Sequence, residues 1–397
     1  MWTVIHIIDW VLWVFMAPSI LYVFFFAFIS LFHRKKNPYA TENIHQSSFL
    51  ILFPAYKEDA VILHSVQECL KQTYPQELYH IGVISDHMEE KTNEQLRQLP
   101  ITLLTPQFKK SSKAKALQYA VSEVRSKRQE ARNENNDFGY VVILDADNVV
   151  MPDFLEQVNA SCQQGYKAIQ CHRCAKNSNN EIAVLDGASE EINNTIFRKA
   201  HNTIGLSSAL IGSGMCFPYN WFKEHVGRLE SAVEDRELEV FLLKENIFVK
   251  FEEHVHVFDE KISSQENFER QRQRWLNGQL QTLLLMSPYI PRAIASLNIN
   301  YIDKTIQQAL IPRSILLVII PLFALVILVF SPIWSIKWWG LFMLLCIALL
   351  IAIPLQMRTR TVFRKLISLP MLVMRMLKNL LHLDKNNKEF FHTTHGE

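Results

Sequence analysis

Apolar and polar positions divide the chain into three kinds of segment. From Val11 to Phe32 nearly every side chain is apolar, and about 22 residues rise ~33 Å as a helix, enough to cross a ~30 Å hydrocarbon layer. Two further runs, Ile315 to Phe330 and Trp338 to Pro354, are separated by Ser331 to Lys337. That spacer reads as a turn carrying interfacial tryptophan, so the pair predicts a transmembrane hairpin. Leu283 to Leu310, interrupted by Pro288 and Pro291, and Val362 to Leu383, which mixes four basic residues with Leu, Ile, Val and Met, read as helices lying in the membrane interface. For Leu283 to Leu310, a pair of helices packed on the soluble part fits the periodicity equally.

Between these segments the period changes. Phe49 to Phe53 is a short continuous apolar run closed by Pro54, and Ile81 to Asp86, Ile101 to Leu104 and Tyr140 to Leu144 repeat the theme, while Asp59 to Gln72 and Lys113 to Val124 have helical spacing. Strands that alternate with helices predict an α/β domain with a parallel, doubly wound sheet. Arg125 to Asp137, rich in Lys, Arg, Glu and Asn, reads as a solvated helix end and loop. The expected division is an anchor over 1–36, a soluble domain over 37–282, interfacial helices over 283–311, the hairpin over 312–357 and an interfacial tail over 358–397.

Charge sets the orientation. His33-Arg34-Lys35-Lys36 follows the first apolar run and Asp9 precedes it, the reverse of a cleaved signal peptide. The positive-inside rule then predicts the N-terminus outside and the domain in the cytoplasm, and Arg358, Arg360, Arg364 and Lys365 return the chain to that side. Hydrophobic residues are 49% and charged residues 20%, too apolar for disorder and too charged for a chain that spans membranes throughout. Lys+Arg of 41 against Asp+Glu of 39 leaves +2, so no global field attracts nucleic acid. Six irregularly spaced cysteines make no disulfide framework and suggest a reducing compartment.

Ligands of doubly wound sheets bind beyond the carboxyl ends of the strands, where Glu58, Asp59, Asp86, Asp145 and Asp147 fall. Asp145 and Asp147, two apart after a buried strand, project to one side and offer paired oxygens suited to Mg²⁺ or Mn²⁺ carrying phosphates. A solvated strand end has the same pattern. Glu234 and Asp235 open an amphipathic helix, where acids complement the helix dipole or act as a general base toward a sugar hydroxyl. Gln271-Arg272-Gln273-Arg274-Trp275 gathers guanidinium groups that grip phosphate and an indole face that suits a sugar ring. Lys113, Lys115 and Gly212-Ser213-Gly214 complete the polar set. Cys171-His172-Arg173-Cys174 lacks a second Cys pair at metal-site spacing, which speaks against zinc. No Rossmann or P-loop glycine pattern is present.

In order, Pro54-Ala55-Tyr56-Lys57-Glu58, Asp86, Lys113-Ala114-Lys115-Ala116-Leu117, Asp145-Ala146-Asp147, Gly212-Ser213-Gly214, Glu234-Asp235 and Gln271 to Trp275 resemble the membrane-bound family 2 glycosyltransferases, the group of cellulose, hyaluronan and chitin-oligosaccharide synthases. The Gln-x-x-Arg-Trp signature is the most discriminating element. The resemblance implies a GT-A fold and a nucleotide-sugar donor, usually a UDP-sugar, with Pro54, Tyr56, Glu58 and Asp86 around the uridine and Lys115 and Asp145 nearby. It further implies a Mg²⁺ or Mn²⁺ ion on Asp147 and Asp145, Asp235 as catalytic base, and Gly214, Glu234, Gln271, Arg272, Arg274 and Trp275 about the diphosphate and acceptor. The implied acceptor is a growing glycan or a lipid-linked one, at a membrane that the compact size suggests is a bacterial inner membrane. Phe391 to His395 resembles the tail that related synthases place near the active site; a frayed terminus fits as well.

Overall fold

Strand β1 (Phe49–Tyr56) organises the soluble domain because both its faces are apolar. Side chains alternate across a strand, so Phe49, Ile51, Phe53 and Ala55 enter one core cluster, with Val66 and Phe154, while Leu50 and Leu52 enter a second, with Leu117 and Phe217. Each of the Phe, Leu, Ile and Val side chains stabilises by roughly 1.5–3 kcal/mol when fully buried. The computed structural model describes residues 2–33, 45–132, 137–177, 181–231, 233–261 and 265–358. The basic cluster over 34–36, the segment 362–383 and the tail over 391–395 lie outside the described residues.

Parallel strands β2 (Tyr79–Asp86), β3 (Thr102–Leu104) and β4 (Tyr140–Ile143) complete the first half of the sheet. With β5 (Val149–Val150), β6 (Ala168–Ala175), β7 (Met215–Pro218) and β8 (Val249–Asp259) the order is β3-β2-β1-β4-β7-β6-β8-β5. The expected parallel sheet therefore holds for its first half. Its second half is mixed, since β7 runs antiparallel to β4 and β6, and β5 to β8. Pro54 is tolerated in a central strand for a local reason. The Leu52 carbonyl accepts from Leu144 N, so even-numbered backbone groups face β4, and Pro54 lies beyond the last β1–β4 pair, Leu52 with Ile143.

Beneath β6 lies a buried ion network. Glu190, on the Glu181–Asn193 helix, meets Arg173 at 3.1 Å and Arg198 at 3.2 Å, and Arg173 also faces Asp259 at 3.4 Å. Burial alone would raise the Glu190 pKa, but Arg173, Arg198 and Lys261 overcome it and hold the carboxyl down at about 2. A depressed folded-state pKa gives stability that is complete above the ordinary value of 4.5 and is lost as pH falls toward 2. Glu190→Gln removes the carboxylate charge shared by two buried guanidinium groups, and we expect it to cost about 3 kcal/mol and to flatten the melting temperature against pH across that window, read by thermal denaturation in detergent.

Among the described residues, three helices are long and apolar enough to span a membrane: Ile5–Phe32, Arg313–Phe330 and Pro332–Ala352. The hairpin turn is tighter than the sequence suggested. Pro332 to Lys337 belongs to the last helix, because Pro at a first helical position is already shaped for it, and Ser331 alone is extended. The Asp9 carboxylate accepts from Lys337 Nζ and, at 2.7 Å, from Trp338 Nε1. The first and last spanning helices therefore run parallel and share an end. Through Met16, Ile20, Leu316, Ile320, Trp338 and Leu345 the three close into one apolar cluster.

The 283–311 stretch packs on the soluble domain and leaves other apolar side chains uncovered. It forms the end of the Gln265–Met286 helix, then Ile290–Ala295 and Ile299–Ala309. Met286, Ala293 and Tyr301 pack on Val240 and Leu243 of the soluble domain, while Leu284, Ile294, Leu297 and Ile299 stand exposed. Tyr22 of the first spanning helix donates to Asp303 at 2.8 Å and fastens this layer to the anchor.

Candidate active site

The carboxyl ends of β1, β2 and β4 meet in one place. After β4 the chain turns sharply over Asp145 to Asn148, and the turn is braced from inside. Asn148 Oδ1 accepts from Asp145 N at 2.9 Å and from the Ser213 hydroxyl, Asn148 Nδ2 donates to Asp147 Oδ1 at 3.2 Å, and Glu260 N donates to Asp147 Oδ2 at 2.8 Å. Lys113 Nζ reaches in from the first turn of the Lys113–Arg132 helix, donating to Asp145 Oδ1 and, at 2.6 Å, to the Gly212 carbonyl, with Glu234 Oε1 at 3.4 Å. Gly212 holds φ +81°, and a Cβ there would stand 3.7 Å from both Asp235 Oδ2 and Lys113 Nζ. Asp145, Glu234 and Asp235, separated by about 90 positions of chain, thus surround one ammonium group.

Electrostatics follow from this crowding. Burial would lower the Lys113 pKa, but Asp145, Glu234 and Asp235 outweigh it and keep the ammonium charged. Burial raises Glu234 against the pull of Lys113, with Asp235 adding to the rise. Glu58 is pushed up to about 9, by burial first and then by Asp147, Asp145 and Glu260. An excess of hard carboxylate oxygen drawn together in this way suits a divalent cation such as Mg²⁺ or Mn²⁺, so the chemistry of the residues present fits the expected metal.

At the neighbouring strand end Asp86 is buried and meets His87 Nδ1 at 2.6 Å, while the His87 ring lies edge-on to Tyr56 at 5.7 Å. Lys57 between Tyr56 and Glu58 holds φ +55°, and its N–H donates to the Asp86 carbonyl; a lysine in the left-handed region carries strain, which clusters at functional turns. Gly214, at φ +64°, spends both backbone groups on the sheet, donating to Ile143 O at 2.9 Å and accepting from Cys171 N at 2.7 Å. Any Cβ there would sit 3.0 Å from Val257 Cγ2, so Gly214 supplies close packing beneath the site.

A second group lies on the Gln265–Met286 helix. Arg272 donates to Asp186 at 2.8 Å and stacks 4.4 Å from the centre of the Trp275 ring. Gln271 Oε1 is buried with no partner among the described residues, and Arg274 is half-buried. This helix also abuts the start of the Glu234–Lys244 helix: a Cβ on Gly278 would come within 2.7 Å of Val233 Cγ1. Arg236 Nη1 donates to Gln308 at 2.7 Å, so the acidic helix start is fixed to the exposed apolar layer as well.

Residues 140–354 match the model of the glycosyl transferase family group 2, and residues 50–224 that of glycosyl transferase family 2. The chain belongs to the family 2 glycosyltransferases. No curated protein matches the sequence of this glycosyltransferase. Among solved structures it is similar to the mannosyltransferase PcManGT from Pyrobaculum calidifontis, solved with GDP-Man and Mn²⁺, at 15% identity and a TM-score of 0.52, covering 84% of this chain and 93% of that one. It also matches S. aureus TarS 1-349, at 11% identity and a TM-score of 0.40 over 60% of this chain and 65% of that one. The likeness to the mannosyltransferase is one of fold, a GT-A-type mixed sheet with helices.

Within the transferase, sequence reasoning divided the lysines differently from the fold. Lys115 is exposed, and its Nζ donates to the Lys110 carbonyl at 2.7 Å; the ammonium beside Asp145 is that of Lys113. Helical spacing carries the signal, since Lys113 shares a face with the buried Ala116, Leu117 and Ala120, three, four and seven residues on. Asn148, Ser213 and Glu260 also went unnoticed as supports of the aspartate turn. An Asn three residues after Asp145 was a legible turn signal, whereas Glu260 arrives only through β8.

Proposed function

We propose that the enzyme is a metal-dependent, inverting glycosyltransferase of the membrane-bound synthase type. It transfers a sugar from a nucleotide-sugar, by our reading a UDP-sugar, to a growing glycan at the cytoplasmic face of the membrane. The observation that carries this reading is the convergence of Asp145, Glu234 and Asp235 on Lys113 at the carboxyl ends of the strands, next to Glu58 and Asp147.

In this reading Tyr56, with Pro54, Glu58 and Asp86, holds the nucleoside, and Asp145 and Asp147 hold Mg²⁺ or Mn²⁺. When bound, the cation offsets charge that grows on the departing diphosphate. Lys113 keeps Asp145 and the start of the Glu234–Lys244 helix in register. Asp235 accepts the proton of the acceptor hydroxyl while that oxygen attacks the anomeric carbon from the side opposite the leaving group. Arg272, Arg274, Gln271 and Trp275 line the diphosphate and acceptor side, where Arg supplies charge and Trp a flat face. The N-terminus outside and the domain inside agree with the basic residues that follow the first span and with the shared end of the first and last spans.

A second reading, addition of a single sugar to a polyprenyl-phosphate or another lipid, is favoured by the way the three spanning helices close on one another through an apolar cluster. A panel of nucleotide-sugars, each incubated with membrane-embedded enzyme and Mn²⁺, tests both. Turnover of one UDP-sugar with a ladder of products supports glycan synthesis; a lone glycolipid supports the second reading; no nucleotide release with any donor removes both.

A further inference from the structure

A cluster of metal-ligand side chains lies on the sheet apart from the carboxylates described above. In the parallel pair of β6 and β8, Cys171 faces Glu252 but His172 faces His256, so residues 253–255 bulge out of β8. The bulge carries His256 opposite His172. Cys174, two residues on from His172, projects to the same side, while the intervening Arg173 points the other way to Glu190 and Asp259. One ring nitrogen of each histidine and the Cys174 sulfur all lie within 4.8 Å of one another, and all three residues are half-buried.

Two further contacts involve His172. His172 Nδ1 lies 2.9 Å from the Glu253 carbonyl, which can only accept, so Nδ1 carries the hydrogen and Nε2 is the nitrogen left to ligate. A backbone carbonyl that fixes the far nitrogen is the usual companion of a metal-ligating histidine. Nε2 faces the Glu191 carboxylate at 3.0 and 3.1 Å. Tetrahedral N and O ligands at ~2.0–2.2 Å from zinc stand ~3.3–3.5 Å apart, so the Glu191 carboxylate stands near enough to His172 to share a cation with it, in place of the proton that joins the pair, once the carboxylate turns toward Cys174 and His256. One thiolate, two imidazoles and one carboxylate suit zinc over Mg²⁺ or Mn²⁺.

We propose that His172, Cys174, His256 and Glu191 form a structural zinc site, separate from the catalytic cation, that staples β6, β8 and the Glu181–Asn193 helix. The lone Cys-x-x-Cys had spoken against zinc. Cys171 is indeed buried in the core, and the ligands are instead its neighbour His172, Cys174 and a histidine more than 80 positions later. The staple has a mechanical purpose. Glu253 in the bulge receives Lys199 at 2.7 Å and His33 at 3.1 Å, at the inner end of the first spanning helix. Zinc at the base of the bulge fixes the seam between sheet and anchor.

The test uses the full-length chain in detergent, stripped with chelator and refilled with Co²⁺ as a spectroscopic probe, with zinc content measured in parallel. We expect one zinc per chain to survive transfer into metal-free buffer, and Co²⁺ to give a thiolate-to-metal absorption band that Cys174→Ser abolishes and Asp147→Asn leaves intact. Retained zinc that Asp147→Asn removes, or a Co²⁺ spectrum of the wild type without a thiolate band, overturns the site. The wild-type spectrum decides the matter even where Cys174→Ser fails to fold. Neither outcome bears on sugar transfer.

Discussion

Asp235→Asn should lower kcat by about 10²–10⁴-fold while donor binding stays within about twofold, because it removes a general base and leaves the shape of the helix start unchanged. The substitution is nearly isosteric. It keeps an oxygen beside Lys113 and Gly212 and leaves Glu234 to hold Lys113 at 3.4 Å. Nucleotide release with a confirmed acceptor is the readout, and nucleotide binding measured by calorimetry is the control. Release as fast as wild type would take the base role away from Asp235.

Lys113→Met should be the most damaging change at the strand ends. Lys113 is largely buried, and it neutralises Asp145 while it also binds Gly212 and faces Glu234. Loss of one partner from such a buried set costs about 3 kcal/mol, and the displaced carboxylates should carry donor turnover down with it. Lys115→Met, two residues on, should leave both melting temperature and turnover close to wild type, since its side chain bonds only outward to Lys110 O among the described residues. Equal effects of the two variants would mean that the wrong lysine has been assigned to the pocket.

The contrast between those lysines shows where the sequence was legible. Strands β1 and β4 were readable because both faces of each are apolar: Val141 and Ile143 enter one cluster, Val142 and Leu144 the other. Their carboxyl ends, and with them Glu58, Asp145 and Asp147, could be placed before any coordinates. Strands β6 and β8 were not readable, because Gln170, His172, Arg173, Glu252, Glu253 and His256 interrupt the apolar pattern. His172 and Arg173 are satisfied by Glu191 and Glu190 of the helix over Glu181–Asn193, Glu253 by Lys199, Glu252 by Ser161 and Gln170 by the Ser213 carbonyl, a long-range arrangement that local periodicity does not encode. The same gap hid the zinc ligands and the contact of Glu260 with Asp147. Apolar length located the three helices long enough to span a membrane, but Ser331 to Lys337 was read as a turn when Pro332 starts a helix. The convergence of Asp235 on the strand ends rested on resemblance until Gly212 and Lys113 supplied a common neighbour.

In the proposed function Asp145, Asp147, Lys113 and Asp235 serve one pocket for a cation, a nucleotide-sugar and an acceptor. A structure of the enzyme in lipid with Mn²⁺ and a non-hydrolysable nucleotide-sugar tests it most directly. We expect manganese density on Asp147 and the Asp235 carboxylate turned toward the anomeric carbon, leaving room for an acceptor oxygen at the ~3–3.5 Å of a near-attack arrangement. Nucleotide bound elsewhere, or Asp235 remaining remote from the sugar with donor and metal in place, would contradict it.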